Sequence, residues 1–138
     1  SNWARGGEES RHNLKYWRRE PVVALGVSAA SFDGAARRTN SGSIPAYLLA
    51  VEKAGTAFVA GETLPADEAL REAVLLGLRV AEGVPEPVFE AAVATLRGSD
   101  RARLDDAFEA GLLVRAGGRV SLTRSGVLLS NEVFSALL

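Results

Sequence analysis

The residues with the most chemistry lie in one stretch, Ser10-Arg-His-Asn-Leu-Lys-Tyr-Trp-Arg-Arg19. It brings together an imidazole, a carboxamide, a phenol, an indole and four basic groups: Arg11, Lys15, Arg18 and Arg19. If the stretch is helical, His12 and Tyr16 share one face at i,i+4, and Asn13 and Trp17 share the adjacent one. If it is extended, alternation separates His12 from Asn13. Either way the mixture suits a flat aromatic ligand with acidic substituents. Aromatic side chains stack on it, basic groups pair with its propionates, and a His or Tyr can ligate the iron of a haem. The same residues also read as packing, with Tyr16 and Trp17 laid on a barrel edge and His12 bonded to backbone. Composition alone favours packing, because aromatic side chains fill cores more often than they cage ligands.

Most other chemistry is excluded by the residues that are missing. With no cysteine there is no disulfide, thiolate zinc site, iron–sulfur cluster or cysteine nucleophile. His12 is the only histidine, so a multi-histidine metal site cannot form, and no activated-serine motif accompanies it. The adjacent acids Asp67/Glu68 and Asp105/Asp106 read as solvated surface. The glycine-rich spots lack a phosphate-loop pattern. A chain of 138 residues holds one domain, or one small domain and a piece of another, and is too short for a whole barrel enzyme of about 250 residues. Its composition, 47% hydrophobic and 24% charged, is that of globular material. No apolar run approaches the roughly 20 residues that span a bilayer, and the polar first twenty residues are not a signal peptide. A cytoplasmic protein is expected. The chain has no methionine, even at position 1; removal of an initiator before Ser1 accounts for that position, and a fragment is the expectation it raises.

The elements that must position these groups fall into two kinds of sequence. Through residue 40 there are seven basic and four acidic side chains; from Ala46 onward there are nine and thirteen. The change lies at the polar stretch Arg38 to Ser43, which predicts a boundary there. Before it, Gly6-Gly7 argues against regular structure, and Val22 to Ser28 reads as a strand buried on both faces, as in a parallel sheet. After it, helices are expected over Ile44 to Lys53 and Pro65 to Glu82, with an extended piece over Thr56 to Thr63 between them. Further helices are expected over Pro87 to Leu96 and Asp100 to Ala110. A hairpin follows, Leu113 to Ala116 and Arg119 to Leu122 around Gly117-Gly118, and then a helix capped by Thr123. Helix–helix–helix–hairpin–helix is a winged-helix order. Nucleic acid is not expected as a partner, because the third of these helices carries four acids against two arginines and phosphate binding needs the opposite sign. The wing adds Arg115 and Arg119, with Arg124 just beyond.

Glu9-Ser-Arg-His-Asn-Leu-Lys-Tyr-Trp17 resembles the HemW proteins, radical-SAM relatives of oxygen-independent coproporphyrinogen III oxidase. The family's His-Asn-x-x-Tyr-Trp motif is matched by His12, Asn13, Tyr16 and Trp17. Ser1-Asn2-Trp3-Ala4 resembles the segment just upstream, Glu68-Ala-Leu-Arg-Glu and Leu76-Gly-Leu-Arg79 its middle, and Leu122 to Phe134 its closing helix. The resemblance implies an α+β fold. Residues 1–43 would be the end of a radical-SAM (β/α) barrel, including its last strand region, and residues 44–138 a mostly helical, winged-helix-like C-terminal domain. It implies haem binding and delivery to a haem-accepting protein, with His12, Asn13, Tyr16 and Trp17 contacting haem and His12 on its iron. It implies a [4Fe-4S] cluster and S-adenosylmethionine in the full-length parent. Gly26 and Ala29 would lie near the S-adenosylmethionine, while the cluster ligands are absent here, so the fragment alone performs no radical chemistry. Where the family usually has a histidine after the strand, this sequence has Ala30. Two alternatives stay open. The parent is an oxidoreductase that oxidatively decarboxylates coproporphyrinogen III, or the chain is a winged-helix interaction module. A dangling barrel strand is a sticky edge, from which a homodimer could form.

Overall fold

Ser10, Ser43 and Thr123 each end an extended residue with a side-chain oxygen that accepts the amide three positions on, and a helix starts after each. These caps open α1 (Arg11–Trp17), α2 (Ile44–Ala54) and α6 (Arg124–Leu128). The computed structural model describes residues 4–138. The likeness noted at Ser1-Asn2-Trp3 therefore lies outside the described residues. The chain forms two compact units, one holding the chain up to Arg18 together with Pro65–Leu138, the other Arg19–Leu64. They cut across the division at residue 43 expected from composition.

The larger unit follows the order read from the sequence. α3 (Ala66–Gly77) has Asp67 and Glu68 in its first turn, where the helix dipole favours acids. It is followed by β4 (Val84–Pro85), α4 (Glu86–Ala94), α5 (Gly98–Glu109), β5 (Leu113–Ala116) and β6 (Arg119–Leu122). The strands form one antiparallel sheet in the order β4-β6-β5. Gly117 and Gly118 both have left-handed φ values (+58° and +72°), which sets the two-residue turn of the β5–β6 hairpin. α3 stops short of the expected Glu82. A Cβ at Gly77 would collide with the Val84 side chain, so β4 crosses the helix end at close range and the chain turns back through Gly83 (φ +66°). The closing helix is two short ones, α6 and α7 (Ser130–Phe134). Val74, Leu78, Phe89, Leu104, Val120, Val133 and Leu137 are the most deeply buried large side chains. They tie all of these helices except α6 to the sheet through one core.

The smaller unit departs further from expectation. The strand expected over Val22 to Ser28 is not formed. Val22 makes one antiparallel bridge to Phe32, and the backbone then leaves extended geometry at Gly26 (φ +107°) and Ser28 (φ +60°). Val23 and Leu25 are exposed, so the run lacks the neighbours on both faces that its composition demands. In its place are β1 (Ala30–Phe32), β2 (Ala36–Asn40) and β3 (Phe58–Thr63), an antiparallel sheet in the order β1-β2-β3, with α2 between β2 and β3. β2 takes up Arg38 to Asn40 of the polar stretch read as a boundary loop, and Ser41 to Ser43 remain loop. Of the β2 residues only Arg38 is exposed; Ala36, Arg37 and Thr39 are half-buried, and the buried Asn40 satisfies its carboxamide on the Gly26 carbonyl.

Candidate functional site

Seven residues are too few for a helix to be stable in water by itself. α1 is held by its Ser10 cap, by packing against α3, and by the Arg18 guanidinium, which donates to both carboxylate oxygens of Glu82 at 3.1 and 3.3 Å. The helical alternative read from the sequence is therefore the one realised, and it splits the four motif residues between two faces. Asn13 and Trp17 turn inward, while His12 and Tyr16 are exposed. The His12 and Tyr16 rings meet edge to face at 5.0 Å between centroids and 86° between planes. Among the described residues, neither imidazole nitrogen has a hydrogen-bond partner, and Arg11 and Lys15 have no carboxylate partner. Arg18 is committed to Glu82.

The inward face of α1 borders a cavity of about 420 Å³. Leu14, Trp17, Leu78, Leu122 and Val127 give it apolar walls; Asn13 and Arg79 are polar groups on its lining. The Arg79 guanidinium lies over the Trp17 ring at 5.5 Å and over the Phe134 ring at 4.5 Å. A smaller cavity of about 230 Å³ continues past Trp17 along Gly77, Val84 and Arg119. Sequence reasoning did not single out Leu78, Arg79, Leu122 or Val127 for this site. The one signal was that Leu76-Gly-Leu-Arg79 resembled the family's middle segment.

Gly26 and Ala29 lie in the other unit, and their backbone groups are engaged within it. The Gly26 amide donates to the Tyr47 hydroxyl (3.2 Å) and its carbonyl accepts from the Asn40 carboxamide (2.9 Å). The Ala29 amide donates to Gly26 (3.4 Å), and the Ala29 carbonyl accepts from Asn40 (2.9 Å).

Four of the five basic groups weighed as phosphate contacts, all but Arg124, are likewise engaged. Arg101 donates to the Ala94 carbonyl and Arg103 to the Ser135 carbonyl. Arg119 donates to the carbonyls of Glu82 and Gly83. Arg115 pairs with Glu86 (2.6 Å) and Glu90 (2.5 Å) and covers the Phe108 ring at 4.7 Å; these two acids push its protonated form to even higher stability. Among the described residues no group of three or more His, Asp or Glu side chains could hold a metal ion, and no helix is long and apolar enough to cross a membrane.

Residues 64–129 match the family model of the HemN C-terminal domain. Over its whole length the chain is 35% identical to the haem chaperone HemW of Bacillus subtilis and 34% identical to that of Mycobacterium tuberculosis. The chain is a HemW-like segment. It spans 37% and 34% of those two proteins, about a third of each. Its fold is shared with the coproporphyrinogen III oxidase HemN of Escherichia coli, a radical SAM enzyme: the TM-score is 0.64 at 22% identity, over 86% of this chain and 28% of that one. With no cysteine, the chain offers no thiolate ligand for an iron–sulfur cluster.

Proposed function

We propose that this segment contacts haem within a HemW-like protein that binds haem and delivers it to an accepting protein in the cytoplasm. The observation that carries the reading is His12, the only histidine, exposed on α1 with both ring nitrogens free of partners among the described residues and Tyr16 set edgewise against it. An unbonded imidazole can give a nitrogen lone pair to haem iron, and the Tyr16 edge restricts its rotation. Among the described residues Arg11 and Lys15 have no carboxylate partner and can pair with propionates; Arg18 is already held by Glu82, which lowers its claim to that role. The relatives named as haem chaperones support the cargo.

Residues 1–43 remain our reading of a barrel end, with Gly26 and Ala29 near S-adenosylmethionine, and residues 44–138 of a winged-helix-like domain. The element order and the β4-β6-β5 sheet support the latter. A nucleic-acid role is disfavoured, because Arg101, Arg103, Arg115 and Arg119 are tied to the protein's own acceptors while the acids of α5 face outward. Oxidative decarboxylation of coproporphyrinogen III is the second reading. The fold shared with HemN supports it, and anaerobic turnover by a longer protein containing this segment would favour it. Haem titration followed by absorbance separates the roles of the α1 side chains. A saturable Soret shift is expected, weakened by His12→Ala well beyond the slight effect of Arg18→Ala. Equal effects of the two substitutions would overturn the assignment.

A further inference from the structure

His12 and Trp17 are five residues apart on α1, about 140° round the helix axis. One flat ring cannot lie against both. The Trp17 side nevertheless has the makings of a ligand site of its own. It is a cavity of about 420 Å³ with apolar walls from Leu14, Leu78, Leu122 and Val127. Its basic group is Arg79, whose guanidinium is fixed between two aromatic rings. Among the described residues the Arg79 guanidinium and the Asn13 carboxamide have no hydrogen-bond partner. Of the other charged lining residues, Arg18 and Glu82 pair with each other, and Glu9 accepts from the Gly7 amide at 3.0 Å and keeps its negative charge. Among the described residues Arg79 is the lining cation without a carboxylate partner, and it lies over an indole.

We propose that this cavity binds a carboxylate-bearing edge of a tetrapyrrole independently of His12, with Arg79 as the carboxylate partner, Trp17 as the apolar wall and Asn13 as a second donor. Arginine presents its N–H groups in a planar fork that matches a carboxylate, and a guanidinium already held between rings loses little freedom on pairing. Iron has no part in this contact, so a metal-free porphyrin is a sufficient ligand. The choice of a tetrapyrrole rests on the haem reading given above; the independence from His12 does not.

The test uses metal-free protoporphyrin IX and the 138-residue chain carrying Trp3→Phe, so that Trp17 is the only emitter. Saturable quenching of Trp17 is expected. Arg79→Gln should weaken binding by about tenfold or more, the size of one charge-assisted pair, and Arg79→Lys should recover part of the loss. Val127→Phe, at a partly exposed lining position, should block the cavity while leaving thermal unfolding unchanged. His12→Ala should leave the quenching as it is. No saturable quenching, or a loss on His12→Ala as large as on Arg79→Gln, would overturn the proposal. Metal-free binding that fails beside a His12-dependent Soret shift defeats this inference alone. The reverse pattern defeats the His12 assignment alone.

Discussion

Gly83 and Gly111 have the same backbone angle, φ +66°, and different surroundings. A Cβ at Gly111 meets nothing within 4 Å. A Cβ at Gly83 would collide with the Val120 carbonyl oxygen and sit 2.7 Å from the Ser121 Cβ and 2.8 Å from the Val120 carbonyl carbon. Alanine at either site carries the left-handed penalty, about 1 kcal/mol. At Gly83 it must also push β6 away from β4, adding about 1–3 kcal/mol by the cost of overpacking. Each kcal/mol is worth about 4–8 °C in a unit of this size. Thermal unfolding followed by circular dichroism should therefore show Gly111→Ala losing about 5 °C and Gly83→Ala at least twice that. The effect should reach α1, because Glu82, which holds Arg18, precedes Gly83 directly. A red shift of Trp17 emission should accompany Gly83→Ala and not Gly111→Ala. Equal losses of Tm in the two variants would refute the close approach of β4 to β6 from which the argument starts.

Two further outcomes follow from local bonding. The Thr123 hydroxyl accepts from the Gly126 amide at 3.0 Å and donates to the Gly111 carbonyl at 2.7 Å. Thr123→Val should cost about 1–2 kcal/mol, read as a lower urea midpoint at unchanged slope, with Thr123→Ser keeping most of the stability. Asp33 is held below the ordinary carboxylate range, first by the Ala36 amide, then by the Ala35 amide, with Arg38 adding to the effect. A depressed carboxyl contributes stability above its unfolded-state pKa, and that contribution is lost as pH falls through the folded value. The amide shifts of Ala35 and Ala36 should therefore move together in one acid titration, on the low side of a normal aspartate, and stay still in Asp33→Asn. Separate titrations of the two amides would contradict the shared bond.

The parts of the fold that were legible in the sequence are those with local causes. The Gly117-Gly118 turn, the Thr123 and Ser43 caps, the acids in the first turn of α3 and the Phe89 and Phe108 positions each follow from a few neighbouring residues. The errors have non-local causes. Val22 to Ser28 has a buried strand's composition but forms no strand beside another, whereas the polar Ala36–Asn40 is paired on both sides. α3 ends early because Val84 crosses Gly77, a contact no local pattern announces. In the candidate site, spacing alone predicted that a helical α1 would set His12 with Tyr16 and Asn13 with Trp17. Which pair would face outward depends on α3 and on Glu82, more than sixty residues away along the chain. Arg79 carries no motif of its own. Its place between Trp17 and Phe134 exists only once the unit has folded.

The central claim is that haem meets this segment at His12. Because His12 is the only histidine, its imidazole signals in an NMR spectrum of the 138-residue chain belong to one residue without further assignment. Adding ferric haem should shift and broaden those ring signals first and most strongly, with Tyr16 next and the α5 residues unaffected. Ring signals of His12 that stay in place while the haem Soret band saturates would contradict the account.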